Sequence, residues 1–158
     1  GNITRDQQDD MAMKSNEQVI RDFIGAWSRL DTDVLVAYFS DDGIYHNMPM
    51  GPVAGRENVR NLIRGFLSTW TKTDWEIRNL IASGNVVIAE RVDRTQAGAK
   101  HVDLPWSGDV VMNERIDHFI ANGKEISLRV VGVFELHDGK IKEWRDYFDM
   151  ATYQRGMS

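Results

Sequence analysis

Residues 140–148, KIKEWRDYF, follow an Asp-Gly pair at 138–139 and decide the layout of the chain. An Asp-Gly pair between two apolar segments predicts a tight hairpin, so we expect 140–148 to be a strand paired with the segment before the turn. Alternation puts Trp144, Asp146 and Phe148 on one face of this strand. A carboxylate between two large aromatic rings is costly to bury unless it is paired and hydrogen-bonded. Asp146 is therefore either a structural carboxylate with a cation partner or part of a site, and partners elsewhere in the chain favour the site.

The composition is typical of one compact domain. The 158 residues carry a net charge of −5 and are 42% hydrophobic, which argues against a nucleic-acid or anionic-membrane surface. The chain has no cysteine, so disulfide bonds, thiolate chemistry and cysteine-based metal sites are excluded. It has no apolar run of about 18 residues and no signal-peptide pattern, and we expect a cytoplasmic protein without a membrane partner. Residues 1–14 are predicted to be a flexible tail and residues 15–158 a single domain.

Helical spacing dominates the first half of the chain, and strand alternation dominates the second half. Helices are predicted to begin at Ser15-Asn16-Glu17, at Asp31-Thr32-Asp33 and at Arg56, with the third helix ending at Trp70. A turn at 40–43, a short strand at 44–47 and a loop at 48–55 precede the third helix. Six strands are then predicted, at 75–82, 85–93, 101–106, 109–119, 125–136 and 140–148. Helices followed by an antiparallel meander indicate an α+β fold.

The segment 83–106 is followed directly by a second copy of its pattern at 107–130. The copies share Ser-Gly, Val-Val and Glu-Arg-x-Asp, and Asp93 and Asp117 are 24 residues apart. Each copy is a strand, a turn and a returning strand. A duplicated copy therefore adds one hairpin and leaves the direction of every later strand unchanged. The repeat produces two candidate pairs, Arg91 with Asp93 and Arg115 with Asp117.

An acid–base cluster can be assembled from one of these pairs and Asp146. Arg115 and Asp117 are two residues apart on a strand and therefore point to the same face. We expect their strand to pair with 125–136 through a short turn, which brings both side chains beside Asp146. An arginine can bridge two carboxylates, and two carboxylates held close together cannot both ionise easily. One protonated and one ionised carboxyl in an apolar pocket suit acid–base catalysis on a neutral substrate.

The alternative copy stays open. With Arg115 and Asp117 in the cluster, Arg91 and Asp93 are expected to form a solvated pair nearer the edge of the sheet. Tyr45 lies two residues from Asn47 on the short strand, so a hydroxyl and an amide share one face and could hold a water molecule against ionised Asp146. Periodicity predicts six apolar pocket walls, each of which also suits an ordinary core; they are Trp27, Met48, Phe66, Phe119, Val130 and Phe148.

Motifs for other chemistries are missing from the sequence. The four histidines, at positions 46, 101, 118 and 137, lack the spacing of metal ligands. There is no glycine-rich phosphate loop and no nucleophile elbow. We therefore expect neither a metal nor a cofactor.

Three segments together resemble the limonene-1,2-epoxide hydrolase family: YHNMPMGPVAGRENVR at 45–60, the Glu-Arg-x-Asp strands, and GVFELHDGKIKEWRDYFD at 132–149. The resemblance covers roughly residues 17–148, and WRDYFD together with Tyr-x-Asn-Met-Pro carries most of its specificity. It implies a curved, mostly antiparallel sheet packed against N-terminal helices to form a cone-like pocket, as in SnoaL-like and NTF2-like proteins. It also implies a homodimer and the one-step hydration of a small lipophilic epoxide, similar to limonene-1,2-epoxide, to a vicinal diol.

The resemblance also implies roles for individual residues. Asp146 would be the general base on a water molecule held by Tyr45 and Asn47. The aspartate of Glu-Arg-x-Asp, assigned to Asp117, would protonate the epoxide oxygen, and Arg115 would organise both carboxyls. The chain departs from the family by carrying Glu-Arg-x-Asp twice, which leaves the substrate size open.

Two rival functions remain. One is an isomerase or cyclase of the ketosteroid-isomerase or SnoaL type, with Asp146 as the base towards a carbon acid. The other is a non-catalytic module that binds small hydrophobic molecules, in which the polar cluster is only a satisfied buried network.

Overall fold

The computed structural model describes residues 14–98 and 124–157. The helices in these ranges are α1 (Asn16–Ala26), α2 (Thr32–Val36), α3 (Arg56–Leu67) and α4 (Met150–Met157), with a 3₁₀ turn at Trp27–Arg29. The strands are β1 (Phe39–Asn47), β2 (Val53–Ala54), β3 (Trp70–Ser83), β4 (Val86–Ala97), β5 (Lys124–His137) and β6 (Lys140–Tyr147). In this part of the chain, no helix is both long and apolar enough to cross a membrane.

The six strands form one sheet in the order β2-β1-β6-β5-β4-β3. All neighbouring strands are antiparallel except β1 and β6, which run parallel. The prediction of an α+β fold, in which a mostly antiparallel sheet packs against N-terminal helices, is therefore confirmed. The Asp138-Gly139 hairpin joins β5 to β6 as predicted, with both turn residues at positive φ.

The first helix covers the inner face of the sheet because its apolar residues recur at helical spacing. The Ser15 side chain accepts a hydrogen bond from the backbone N–H of Gln18 at 3.1 Å and caps α1. Phe23 of α1 is fully buried, and its ring makes edge-to-face contacts with the rings of Phe134 and Trp144, which lie on the sheet. An aromatic core therefore fills the space between the helix and the inner face of the sheet.

Several boundaries differ from the prediction, and at two of them strand pairing overrides the local signal. The predicted turn at 40–43 lies inside β1, where the register against β6 shifts between Phe39 and Ile44. This irregularity accommodates the extra residues as a bulge. The third helix ends at Leu67, not at Trp70, because β3 begins at Trp70 and pairs with Ala97.

The predicted neighbour of β5 is wrong. The strand at 109–119 was expected beside 131–136, but both edges of β5 are already paired there. Val131 faces Glu90 of β4 on one side and Tyr147 of β6 on the other. The predicted strands at 101–106 and 109–119, and with them the extra hairpin of the repeat, lie outside the described residues. The first copy of the repeat therefore supplies the strand that adjoins β5.

Candidate active site

A buried arginine on β4 joins two buried aspartates. Arg91 is 1% exposed, Asp93 is 6% exposed and Asp146 is 3% exposed. The Nε of Arg91 donates to Oδ1 and Oδ2 of Asp93 at 2.8 and 3.1 Å. Its Nη1 and Nη2 donate to Oδ1 and Oδ2 of Asp146 at 3.0 and 2.5 Å. The Nε, Nη1 and Nη2 atoms of one guanidinium thus all bind carboxylate oxygens. We call Arg91, Asp93 and Asp146 together the Arg91 cluster.

The sheet brings these residues together through a glycine. Arg91 lies on β4 and Asp146 on β6, and β5 runs between the two strands. On β5, Gly132 is the register partner of Asp146. A Cβ atom at Gly132 would lie 2.6 Å from Nη1 of Arg91 and 2.9 Å from Oδ1 of Asp146. The guanidinium can reach across β5 because this position has no side chain.

Two tryptophans enclose the guanidinium. Its central carbon lies 4.4 Å from the ring centroid of Trp75 and 5.5 Å from that of Trp144, which allows a cation–π attraction in a dry environment. The indole N–H of Trp144 also donates to Oδ1 of Asp146 at 2.5 Å. Asp146 therefore accepts three hydrogen bonds, whereas Asp93 accepts the single Nε–H of Arg91.

The two carboxyls of the Arg91 cluster differ in acidity for this reason. Burial raises the pKa of Asp93 to about 7, against the opposing effect of Arg91, and the nearby charge of Asp146 raises it further. Burial also raises the pKa of Asp146, but Arg91 and the Trp144 N–H oppose that rise. Burial disfavours the charge on Arg91, yet the two carboxylates raise its pKa above the ordinary value. The proton shared by the cluster is therefore better placed on Asp93, with Asp146 ionised.

Tyr45 and Asn47 lie beside this cluster on β1. In the parallel pairing of β1 with β6, Tyr45 is the partner of Trp144 and Asn47 is the partner of Asp146. The ring of Tyr45 stacks on Trp144 with centroids 4.1 Å apart. Burial raises the pKa of Tyr45 well above 10, and the charge of Asp146 adds to this. Tyr45 therefore keeps its proton and can donate or accept a hydrogen bond.

A cavity of about 60 Å³ opens above the cluster. This is room for several water molecules, since one needs roughly 10–15 Å³. Four of its lining residues are polar groups already described, namely Tyr45, Asn47, Asp93 and Asp146. Most of the remaining wall is apolar or aromatic; it consists of Met50, Phe66, Trp70, Trp75, Thr95, Ile126, Leu128, Val130, Phe148, Met150 and Tyr153.

The predicted pocket walls fall into three groups. Phe66, Val130 and Phe148 line the cavity. Trp27 does not, because it is fully buried and Trp75, stacked on it at 4.2 Å, takes the place at the wall. Met48 does not line the cavity either; Met50, two residues further along the chain, does so instead. Phe119 lies outside the described residues.

The prediction of a solvated Arg91–Asp93 pair is wrong, since both side chains are buried against Asp146. The physical reason is the pairing of β4 with β5, which puts Arg91 opposite Val130 and one strand away from β6. Arg115 and Asp117, predicted for these positions, lie outside the described residues. Within 14–98 and 124–157, no group of histidine and acidic side chains could hold a metal ion.

Sequence reasoning missed several residues of the site. Trp144 is one of them; the strand alternation that groups it with Asp146 is the signal that indicates an indole donor beside the carboxylate. Helix α4, whose Met150 and Tyr153 line the cavity, was not predicted. Its start carries a capping signal, because Asp149 accepts from the N–H of Ala151 at 3.1 Å and from the hydroxyl of Thr152 at 2.7 Å.

The sequence is similar to a SnoaL-like domain family and to a protein named as an epoxide hydrolase. A family model described as a SnoaL-like domain matches residues 20–144. The chain is 27% identical over 135 residues to "Epoxide hydrolase EphG" of Mycobacterium tuberculosis (strain ATCC 25618 / H37Rv). The aligned region covers 85% of this chain and 74% of that protein.

Solved structures show the same relationship. An LEH-like epoxide hydrolase from M. tuberculosis aligns with a TM-score of 0.64 at 25% identity, over 89% of this chain and 87% of that one. A putative SnoaL-like polyketide cyclase from Shewanella putrefaciens CN-32 aligns with a TM-score of 0.70 at 13% identity, over 92% and 97% of the two chains. At that identity the cyclase shares the fold alone. These similarities confirm the resemblance predicted from the sequence.

Proposed function

The chain belongs to the SnoaL-like domain family, and we propose that within it this protein is an epoxide hydrolase that adds water in one step to a small lipophilic epoxide. The observation that carries the proposal is the Arg91 cluster beneath an apolar cavity. Its two carboxyls differ in protonation, which is what the hydration of a strained neutral ring requires. The relative named as an epoxide hydrolase supports the same reaction class.

In the proposed reaction, ionised Asp146 is the general base. A water molecule bound by Asp146, Tyr45 and Asn47 gives up a proton to Asp146 while its oxygen attacks one epoxide carbon. The carbon–oxygen bond of the ring breaks, and Asp93 delivers its proton to the departing oxygen. The product is a vicinal diol. Exchange of protons with solvent through the open cavity then restores the starting state, in which Asp93 is protonated and Asp146 ionised.

The acidity of Asp93 suits this role. An acid with a pKa near the working pH is both protonated and able to transfer its proton, and burial raises the pKa of Asp93 to about 7. Arg91 keeps its positive charge throughout and compensates the negative charge that moves from Asp146 to Asp93. The apolar wall keeps bulk water away from the reacting carbon.

We assign the acid role to Asp93 and the bridging role to Arg91, in place of Asp117 and Arg115. The direct contacts of Arg91 with Asp146 support this choice. Comparing Asp93→Asn with Asp117→Asn separates the two copies of the repeat. We expect the larger loss of kcat/KM from Asp93→Asn, and a larger loss from Asp117→Asn would reverse the assignment.

The test of the function is a single turnover of a cyclic epoxide in water labelled with heavy oxygen. Direct attack by water puts one labelled atom into the first diol formed and none into the protein. Asp146→Asn should remove turnover, while Asp138→Asn, in an exposed turn at positive φ where Asn is favoured, serves as the matched control. Unlabelled diol in the first turnover would indicate a covalent enzyme intermediate and contradict the one-step reaction. In a parallel reaction in deuterium oxide, solvent deuterium in an isomerised product would indicate the isomerase instead.

A further inference from the structure

The cavity wall contains a pair of threonines that the proposed hydrolysis does not use. Thr95 lies on β4 two residues after Asp93, so both side chains are on the inner face of the sheet. Two residues along a strand correspond to about 7 Å. Thr95 is 4% exposed and lines the cavity, and Thr73, its register partner on β3, is 2% exposed. A hydroxyl is therefore built into a mostly apolar wall at a fixed distance from the proposed acid.

The hydroxyl of Thr95 has unused hydrogen-bonding capacity. A threonine hydroxyl has one donor and two acceptor sites. In the described part of the chain, the only partner of the Thr95 hydroxyl is Thr73 Oγ1, at 2.7 Å. Thr73 Oγ1 in turn accepts from the indole N–H of Trp75 at 3.0 Å and lies 3.3 Å from the backbone oxygen of Arg94. When Thr73 donates to the Arg94 oxygen, all three of its hydrogen-bonding sites are used, whereas these contacts use one of the three sites of Thr95.

Either arrangement of the protons leaves an unused hydrogen-bonding site on Thr95, a residue that lines the cavity. If Thr73 donates to the Arg94 oxygen, Thr95 donates to Thr73 and keeps its lone pairs free for a ligand. If Thr73 donates to Thr95, the proton of Thr95 is free for a ligand. A ligand hydroxyl can act as donor or acceptor and therefore fits both arrangements, whereas a hydrocarbon leaves the remaining hydrogen-bonding capacity of Thr95 unused.

We propose that Thr95 is a specificity-determining residue and that the substrates are epoxides bearing a hydroxyl group about 7 Å from the epoxide oxygen. Because the epoxide oxygen must sit at Asp93 for this distance to apply, the proposal rests on the proposed function. Thr73 and Trp75 are positioning residues: they hold the Thr95 hydroxyl through the contacts above, and Trp75 is itself fixed by stacking on Trp27 at 4.2 Å. If the hydrogen bond between Thr95 and Thr73 served only to hold β3 to β4, replacing Thr95 would not change which substrate is preferred.

The test compares two cyclohexene oxides of equal size, carrying an ethyl or a hydroxymethyl group on the ring carbon farthest from the epoxide. The wild-type protein should hydrolyse the hydroxymethyl compound with the higher kcat/KM. Thr95→Val keeps the shape of the side chain and should lower the hydroxymethyl-to-ethyl ratio about five- to tenfold, the loss of one hydrogen bond. The matched control is Thr71→Val, an exposed threonine of β3 whose hydroxyl bonds the Gln96 backbone oxygen, and it should keep the wild-type ratio. An unchanged ratio in Thr95→Val, or a wild-type preference for the ethyl compound, would overturn the proposal.

A binding measurement separates this proposal from the hydrolysis. Cyclohexylmethanol has the hydroxyl but no epoxide, and its affinity can be measured by calorimetry for the wild type and for Thr95→Val. Binding about five- to tenfold tighter to the wild type supports the role of Thr95 even if neither epoxide is hydrolysed, an outcome that would remove only the hydrolase assignment. Equal affinity for the two proteins would overturn the role of Thr95 while leaving hydrolysis of the ethyl compound as evidence for the enzyme.

Discussion

Replacing Gly132 by alanine adds one methyl group at the point where Arg91 crosses β5. The new Cβ would lie 2.6 Å from Nη1 of Arg91, 2.9 Å from Oδ1 of Asp146 and 3.0 Å from Cε2 of Phe134. An arginine tip can normally swing away from such a contact. Here the guanidinium cannot move freely, because its Nε is hydrogen-bonded to Asp93 and it packs against the rings of Trp75 and Trp144.

The size of the effect follows from these distances. An ordinary contact begins at 3.4 Å, so Nη1 has to move by about 0.8 Å from its position at 2.6 Å. A displacement of that size stretches or breaks the 3.0 Å bond from Nη1 to Asp146. Overpacking of a buried site costs about 1–3 kcal/mol of unfolding free energy. A misplacement of about 1 Å in a reacting group can lower the rate about 100-fold, and we expect kcat/KM to fall by that order.

The assay is steady-state epoxide hydrolysis combined with urea unfolding of the same protein. Gly65→Ala is the matched control, since a Cβ there meets nothing within 4 Å. That glycine is exposed on α3, where alanine should raise the unfolding free energy by about 1 kcal/mol without changing kcat/KM. Wild-type kinetics and stability in Gly132→Ala would refute the reasoning, because the bridge from Arg91 to Asp146 would then not depend on the gap in β5.

Three further predictions follow from the Arg91 cluster, and a fourth from the sheet. The value of kcat/KM should fall as the pH rises through about 7, where Asp93 loses its proton; a rate still rising above that pH would contradict the acid role. The unfolding free energy should also fall as the pH rises from 3.8 to about 7, because the native state holds this proton more tightly than the unfolded chain. Denaturation at several pH values should show this slope in the wild type and a smaller one in Asp93→Asn. Trp75→Leu removes the ring 4.4 Å from Arg91 and should lower kcat/KM by at least about tenfold, given roughly 2 kcal/mol for a buried cation–π contact; unchanged kinetics would mean that the carboxyls alone orient Arg91. The homodimer implied by the resemblance is predicted to use the outer face of the sheet, where Val131 and its register partner Tyr147 are 38% and 44% exposed. Val131→Lys should therefore convert the dimer to a monomer in analytical ultracentrifugation. A monomeric wild-type protein would contradict this prediction.

Local signals explain why much of the fold could be predicted. The cap at Ser15, the helical spacing after it and the Asp138-Gly139 turn each act within a few residues, and the structure keeps all of them. The grouping of Trp144 with Asp146 on one face of β6 required only the alternation of a strand. The turn predicted at 40–43 failed because the pairing of β1 with β6, about a hundred residues away in sequence, imposes a bulge there instead.

The site depended on information that no local pattern contains. Both copies of Glu-Arg-x-Asp have the same alternation, so the residues around Arg91 and Arg115 cannot show which strand lies beside β5. The need for Gly132 is visible only when three neighbouring strands are in register. The difference in acidity between Asp93 and Asp146 depends on the Trp144 N–H, whose position is fixed by packing against Tyr45 and Phe23.

The proposed mechanism depends most on one proton, which is held by Asp93 and not by Asp146. Carbon-detected NMR of protein labelled at the aspartate side-chain carboxyls measures this directly, with Asp93→Asn and Asp146→Asn assigning the two signals. We predict that the Asp93 signal titrates with a pKa of about 7, while the Asp146 signal is that of a carboxylate at neutral pH. A protonated Asp146 beside an ionised Asp93, or two carboxyls that are both ionised well below neutral pH, would contradict the account.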